Sequence, residues 1–328
     1  MTKVTRVSYN SYSGPSIKGT VDWEPNTASS HWSRVLWLTS QVESGGKFGA
    51  ITMYDGTAMT AGLHQAIAVY PKELAHEDFS AADDQGSLWK LLRMLELVHG
   101  IPALNELWSA LAEKNWYVST KGDLRYLSDD TVKVRSRNKK VSAGDLVYGF
   151  SIREEFTPNQ GKVPRSGPDW DRSVSWAILF HNLFSDPKGF HAQTSFGMEH
   201  FHRYCTRKTI TAGDKKTLSQ WLYGGKHDNP VVESPELDLA LSVLWSHSVN
   251  APAIAWRFLS AALKISDPLE KPEVFSKRLL AMLGRSSYGR WNHSVRNGRW
   301  ARTRLIASRS GLWPSELFTS SGIMPRSL

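Results

Sequence analysis

Two carboxylates and a hydroxyl lie close together near the front of the chain. They are Glu43, Asp55 and Thr60, in the stretch "VESGGKFGAITMYDGTAMTAGLHQAI". An acid that keeps its proton, a carboxylate that stays ionised and a hydroxyl that can hold water are the parts needed to cleave a glycosidic bond. The first protonates the leaving oxygen while the second steadies positive charge or directs the water. Each also has a plainer reading. A glutamate that ends a helix is often simply solvated, and Asp-Gly between alternating strands is an ordinary hairpin turn.

Local elements must place these groups. "SSHWSRVLWLTSQVE" predicts a helix entered through Ser29 or Ser30 as cap. At about 100° per residue, Trp32, Leu36 and Glu43 share one face, flanked by Val35 and Val42. A carboxyl group on such an apolar stripe loses hydration, which favours its neutral form. Gly45 and Gly46 then let the chain turn sharply and leave room above the carboxyl. "KFGAITMY" and "TAMTAG" predict short strands joined at Asp55-Gly56; folded back over the helix end, they bring Asp55 and Thr60 to the same groove as Glu43. A second helix is expected from Leu63 to about Val69, stopped near Pro71. Tyr54 is either a sugar platform or a strand residue in the core. Gly62, His64 and Gln65 either shape a groove or begin that second helix.

The rest of the chain is read more coarsely. Residues 1–30 are polar and rich in Ser, Gly, Pro and Tyr, and read as an irregular arm. Residues 86–114 predict two helices broken at Gly100-Pro102. Residues 116–152 are β-prone and turn-rich, with a basic knot at Arg135, Arg137, Lys139 and Lys140 read as a solvated loop. "TPNQGKVPRSGPD" reads as a linker or surface loop. Helices are expected at roughly 170–184, 192–206, 214–222, 236–263, 273–283 and 296–308, with a break or kink at Asn250 and Pro252. The Trp and Phe residues of "WSHSVNAPAIAWRF" recur at helical spacing and are expected in the core.

Composition narrows the classes. The chain has 328 residues, 41% hydrophobic with 14 Trp, enough for one large core or two modest ones. Its single cysteine, Cys205, excludes an internal disulfide framework and a cysteine-based zinc cluster. In "GMEHFHRYC", His200 and His202 fall on different helix faces, so with Glu199 they give no metal-binding spacing. No Walker-type or Rossmann glycine loop is present, and neither metal nor cofactor is expected. The formal charge of +9 favours an anionic partner. Residues 285–309 hold seven arginines and no acid. They are read as a terminal helix pair whose stems pack and whose heads pair with acids elsewhere. No stretch has the length and purity of a membrane span, and "MTKVTRVSYNSYSGPS" lacks the apolar core of a secretory signal.

The order helix–Glu, hairpin with Asp, then Thr-x-Gly resembles the lysozyme-like superfamily. Phage-type lysozymes show Glu, then Tyr-x-Asp in a hairpin, then Thr-x-Gly-x-Gly-His. Here the matching residues are Glu43, "MYD" ending at Asp55, and "TAGLHQ" from Thr60 to Gln65, with His64 where the pattern has its second Gly. The gap from Glu43 to Asp55 is longer than in phage-type enzymes and that from Asp55 to Thr60 is shorter. "ESGG" and "GLHQAIAVYP" are also similar to segments of goose-type lysozymes and lytic transglycosylases, relatives that manage without the aspartate. "GRWNHSVRNGRWARTRLIASRSGLW", residues 289–313, is similar to the closing helices of phage-type lysozymes.

The resemblance implies a mainly α (α+β) fold: a lysozyme-like helical body, a small β-hairpin subdomain at the active site, and a large helical insertion. Its domains would be an arm at 1–30 and a catalytic lobe at 31–115. A β-prone basic insertion and linker at 116–168 would follow, then a helical region, 169–328, whose last part completes the lobe. It implies cleavage of the β-1,4 bond between N-acetylmuramic acid and N-acetylglucosamine in bacterial peptidoglycan. Glu43 would be the catalytic acid, Asp55 and Thr60 would direct water or stabilise the oxocarbenium-like state, and Tyr54, Gly62, His64 and Gln65 would bind substrate. The expected setting is a phage endolysin held in the host cytoplasm until release to the wall, or a virion-associated enzyme. The expected form is a monomer with no nucleic-acid partner. A chitosanase-like hydrolase, a lytic transglycosylase and a non-catalytic wall-binding virion protein are the alternatives.

Overall fold

The structure is a computed structural model. It describes residues 7–9, 14–23, 31–53, 59–68, 88, 91–92, 94–95, 116–119, 124–128, 131–134, 137–140, 146–149, 166–207, 217–223, 234–250, 252–284, 302–303 and 305–310. These residues are mainly helical, with small antiparallel sheets. The chain forms two compact units, one of Met1–Asp22 with Lys47–Phe196, the other of Trp23–Gly46 with Gly197–Leu328. The expected lobe at 31–115 is thus divided at Gly46 and Lys47, its helix in the second unit and its hairpin in the first.

The first unit contains a five-stranded antiparallel sheet. Its order is β1 (Val7–Tyr9), β2 (Pro15–Ile17), β5 (Ile51–Met53), β6 (Met59–Ala61) and β7 (Ala66–Ala68). β3 (Val21–Asp22) pairs separately with β4 (Lys47–Phe48), where Lys47 Nζ meets Asp22 Oδ1 at 2.6 Å. Residues 1–30 therefore supply three strands rather than an irregular arm. Short Ser- and Gly-rich segments with one apolar residue in two are hard to tell from loops until the partner strand is known. Alternation does the sorting here. Ile17, Ile51, Met53, Met59 and Ala61 enter the core, while Ser8, Ser16, Thr52 and Thr60 stand opposite one another in register on four neighbouring strands.

The core beneath this sheet is closed by α2 (Pro168–Ser185), through Trp176, Ala177, Phe180, Leu183 and Phe184. Leu88, Leu91, Leu92 and Leu95 join it from helical positions three, four and seven residues apart. A second helix at 63–69 does not form. The chain turns at Gly62–Gln65, where Gly62 (φ 78°) and Gln65 (φ 52°) are both left-handed, and Gln65 N donates to Gly62 O at 3.3 Å. Two left-handed residues in four break any helix. Ala66–Ala68 then returns as a strand beside β6.

Buried polar groups fix how α2 meets the β4–β5 turn. His181 is fully buried, and its Nδ1–H donates to the Gly49 carbonyl at 2.6 Å. Gly49 is left-handed at φ 79°, and a Cβ there would lie 2.0 Å from Ser185 Oγ and 3.1 Å from His181 Nδ1. Gly49→Ala is therefore expected to destabilise the first unit by about 1–3 kcal/mol from backbone strain, with the Ser185 clash in addition. Adding Ser185→Ala should recover only the clash, and urea unfolding of the two variants separates the parts.

His181 also makes this unit acid-sensitive. Its Nε2 is buried with no hydrogen-bond partner among the described residues. Burial pushes its pKa below the usual imidazole range, against the opposing pull of the Gly49 carbonyl. The unfolded chain then takes up the proton more readily than the folded one. The contribution is whole above about pH 6.5 and is lost as the pH falls below that. Hydrogen exchange in α2 is expected to quicken between about pH 7 and about pH 5, after correction for intrinsic rates, and less so in His181→Gln. The same acid response in both proteins would clear His181 of the effect.

The β-prone stretch forms a second five-stranded sheet, β8 (Trp116–Ser119), β9 (Leu124–Ser128), β10 (Thr131–Val134), β11 (Arg137–Lys140) and β12 (Leu146–Gly149), in the order β11-β10-β9-β8-β12. Three of the basic residues read as a loop, Arg137, Lys139 and Lys140, are strand residues at its edge. Arg135 lies outside the described residues.

The second unit is built around α5 (Pro235–Asn250), in which every residue from Leu237 to Ser248 is buried. A helix covered on all sides must satisfy its polar groups through its neighbours. Asp238 binds His31 and Arg34 of α1 (His31–Glu43), and Ser242 donates to Val35 O at 3.2 Å. Trp245 Nε1 donates to His200 Nδ1 at 3.1 Å, in α3 (Phe190–Phe201). His247 Nε2 meets Thr303 Oγ1 at 3.1 Å, among the helical residues 302–303 and 305–309. These bonds key α1, α3 and the residues around Thr303 to α5. A π-helical turn, His202–Thr206, extends α3, and α4 (Leu218–Tyr223), α6 (Pro252–Ile265) and α7 (Pro272–Gly284) complete the unit. The expected break at Asn250 and Pro252 separates α5 from α6. Among the described residues no helix is long and apolar enough to cross a membrane.

Candidate functional site

Glu43 is the last residue of α1. The helix forms as its apolar spacing predicts, with Trp32, Val35 and Leu36 at 4%, 0% and 3% exposure. It ends because Gly45 (φ 69°) and Gly46 (φ 74°) turn left-handed. Ser40 O accepts from both Ser44 N at 2.9 Å and Gly46 N at 3.0 Å, and Trp23 N donates to Gly46 O at 2.9 Å. A Cβ on Gly46 would lie 2.3 Å from Gln41 Nε2, so a side chain there would have to push the end of Gln41 aside as well as adopt a left-handed φ.

The neighbour of the Glu43 carboxylate differs from the expected apolar stripe. Its Oε1 accepts from Arg302 Nη2, and the two side chains are 20% and 31% exposed. Negative charge at the C-terminal end of a helix opposes the helix dipole. Arg302 offsets that opposition and holds the carboxylate in one place. Of the seven arginines of the closing segment, Arg302 is placed with its head on an acid 259 residues away in sequence, next to the buried Thr303, Ile306 and Ala307; residues 285–301 lie outside the described residues.

The other candidates that can be placed belong to the first unit. Thr60 pairs in register with Thr52, is 6% exposed, and its hydroxyl donates to Thr52 O at 3.5 Å. Gly62 N donates to Ala50 O at 2.8 Å. His64 is 6% exposed, and Gln65 turns its amide back to Gly62 O at 3.4 Å. Thr60 is thus a strand residue of β6, and Gly62–Gln65 make a tight turn rather than a helix start. Tyr54 and Asp55 lie outside the described residues.

One anchor of this turn was not read from the sequence. Gln193, 1% exposed on α3, accepts from Leu63 N at 3.1 Å and donates to Phe184 O at 2.9 Å. A Cβ on Gly62 would lie 2.9 Å from Gln193 Oε1, so glycine is needed there for close approach as well as for its φ. A lone glutamine 130 residues away carries no local signal of that contact.

The histidines considered as metal ligands are occupied otherwise. His200 accepts from Trp245, and His202 Nδ1 lies 2.7 Å from Thr206 Oγ1. Burial pushes the Cys205 thiol up to about 12, with the Ser248 hydroxyl acting the other way, so it stays protonated and unreactive. No group of three or more His, Cys, Asp or Glu side chains suited to a metal ion occurs among the described residues.

No protein-family model, curated protein or solved structure matches the chain.

Proposed function

We propose that this protein is a glycoside hydrolase of the muramidase type, cutting the β-1,4 bond between N-acetylmuramic acid and N-acetylglucosamine in peptidoglycan. One observation carries the reading: Glu43 is a half-buried carboxylate at the unfavourable end of a helix, held there by Arg302 beside a glycine turn. Charge placed against the helix dipole is a local conflict, and such conflicts concentrate at working sites. Glu43 is the group assigned to the glycosidic oxygen. For proton donation, Glu43 must leave Arg302 and take up a proton from solvent, so the ion pair opens as the sugar enters. Asp55 and Thr60 take the water-directing role on the resemblance alone, and Tyr54, Gly62, His64 and Gln65 are assigned to substrate on the same ground. Phage endolysin or virion-associated lysozyme is the proposed setting, and the net positive charge suits an anionic wall.

A second reading is favoured by the same ion pair. If Glu43 and Arg302 only join α1 to the final helical residues, the protein is a non-catalytic wall-binding or virion structural component. Digestion of purified peptidoglycan by wild type and Glu43→Gln, with the new ends identified by mass spectrometry, tests one against the other.

A further inference from the structure

The ion pair at the end of α1 leaves one donor over. Arg302 Nη2 donates to Glu43 Oε1, while Arg302 Nε is enclosed and has no hydrogen-bond partner among the described residues. A guanidinium presents Nε–H and one Nη2–H side by side, a fork that takes both oxygens of one carboxylate. Glu43 engages it through a single oxygen. An enclosed donor without an acceptor is costly, so a carboxylate seated across Nε and Nη2 would improve on the present arrangement. Glu43 and Arg302 are 20% and 31% exposed, against 1% for Asp238. A pair this open to water is weakly held, and a carboxylate from solvent can compete for Arg302 without opening the unit.

Chemistry at Glu43 requires such a competitor. The acid must leave Arg302 before it can donate a proton, and a neutral sugar offers the guanidinium no charge in exchange. We propose that Arg302 binds a carboxylate carried by the muramic acid unit of the substrate, and that this exchange frees Glu43 for protonation. Arg302 stays protonated and passes from one carboxylate to another; Glu43 takes one proton from solvent and becomes neutral. Arg302 is thus the specificity-determining residue, and the preferred glycan is an acidic one. The lactyl group supplies the carboxylate where peptide is absent, and the stem peptide supplies it where the lactyl group is amidated. The coupling to Glu43 rests on the muramidase reading.

The full-length protein is given glycan strands stripped of peptide, the same strands with their lactyl carboxyls capped as methylamides, and strands that keep their peptides. Wild type is expected to cleave stripped strands at least about tenfold faster than capped ones, the low end of what a charged hydrogen bond is worth. The faster of the stripped and peptide-bearing strands identifies the source of the carboxylate. In Arg302→Met the ratio of stripped to capped should fall to within about twofold. That ratio is taken within one protein, so partial unfolding of the variant leaves it unchanged. Binding supplies a second readout that needs no cleavage. Glu43→Gln removes the competing charge and should bind stripped strands at least about tenfold more tightly than wild type, and capped strands within about twofold. Equal cleavage of stripped and capped strands, or a preference that Arg302→Met leaves intact, overturns the proposal and leaves the muramidase reading standing. No cleavage of any strand ends the muramidase reading and the coupling with it. The carboxylate site is then decided by binding: a gain in Glu43→Gln confined to stripped strands upholds it, and no gain overturns it.

Discussion

Glu43→Gln is expected to lower the release of fragments from purified peptidoglycan by about 10²–10⁴-fold, the range that a positioned acid or base supplies. The amide keeps the shape of the side chain, and its oxygen can still accept from Arg302, so the fold should survive the change. Loss of activity with an unaltered unfolding curve would locate the defect in chemistry. The ends of the products carry more information than the rate. Reducing N-acetylmuramic acid ends mark hydrolysis, anhydro ends mark a lytic transglycosylase, and activity on chitosan alone marks a chitosanase-like enzyme. Arg302→Met sharpens the comparison. If Glu43 does chemistry, losing its partner alters turnover beyond any loss of stability. If the pair is only a tie between α1 and the closing helical residues, both substitutions lower stability and no hydrolysis exists to lose. Wild-type protein that releases nothing from either polymer would end the enzyme reading.

What the sequence made legible follows from how locally each feature is encoded. The helix His31–Glu43 could be read because Trp32, Val35 and Leu36 repeat at its period and two glycines stop it at once. The β5–β6 hairpin was visible in the alternation of Ile51, Met53, Met59 and Ala61, all of which are buried. The turn at Gly62–Gln65 was not, because "LHQAIAV" suits a helix until two left-handed residues forbid it. Contacts across long sequence distances left no trace: His181 on Gly49, Gln193 on Leu63 and Asp238 on His31 each join segments more than a hundred residues apart. Arg302 was an intermediate case. Its segment showed that heads would seek acids, but nothing local named Glu43 as the acid.

Asp238→Ala is expected to be the most damaging single change in the second unit, costing about 3–5 kcal/mol. Asp238 is 1% exposed and its carboxylate accepts from two groups at once, His31 Nδ1 on Oδ1 and Arg34 Nε on Oδ2. Removing it leaves His31, itself fully buried, and one end of Arg34 facing an empty acceptor position. The penalty arises from those stranded donors more than from the lost attraction, because a group already out of water cannot recover its hydration without opening the unit. Hydrogen exchange should show this as faster exchange in both α1 and α5, since the carboxylate joins the two. Asp22→Ala provides the contrast. Its partner Lys47 is as close, at 2.6 Å, but the two side chains are 64% and 37% exposed, so water replaces the interaction and the expected cost is below about 1 kcal/mol. Equal costs for the two substitutions would mean that the Asp238 site admits water, and α5 could not then be the sealed centre on which its neighbours are keyed. Because α1 ends in Glu43, a loosened Asp238 site should also blur the position of that carboxylate. Any hydrolytic activity should then fall in Asp238→Ala at temperatures below its unfolding transition.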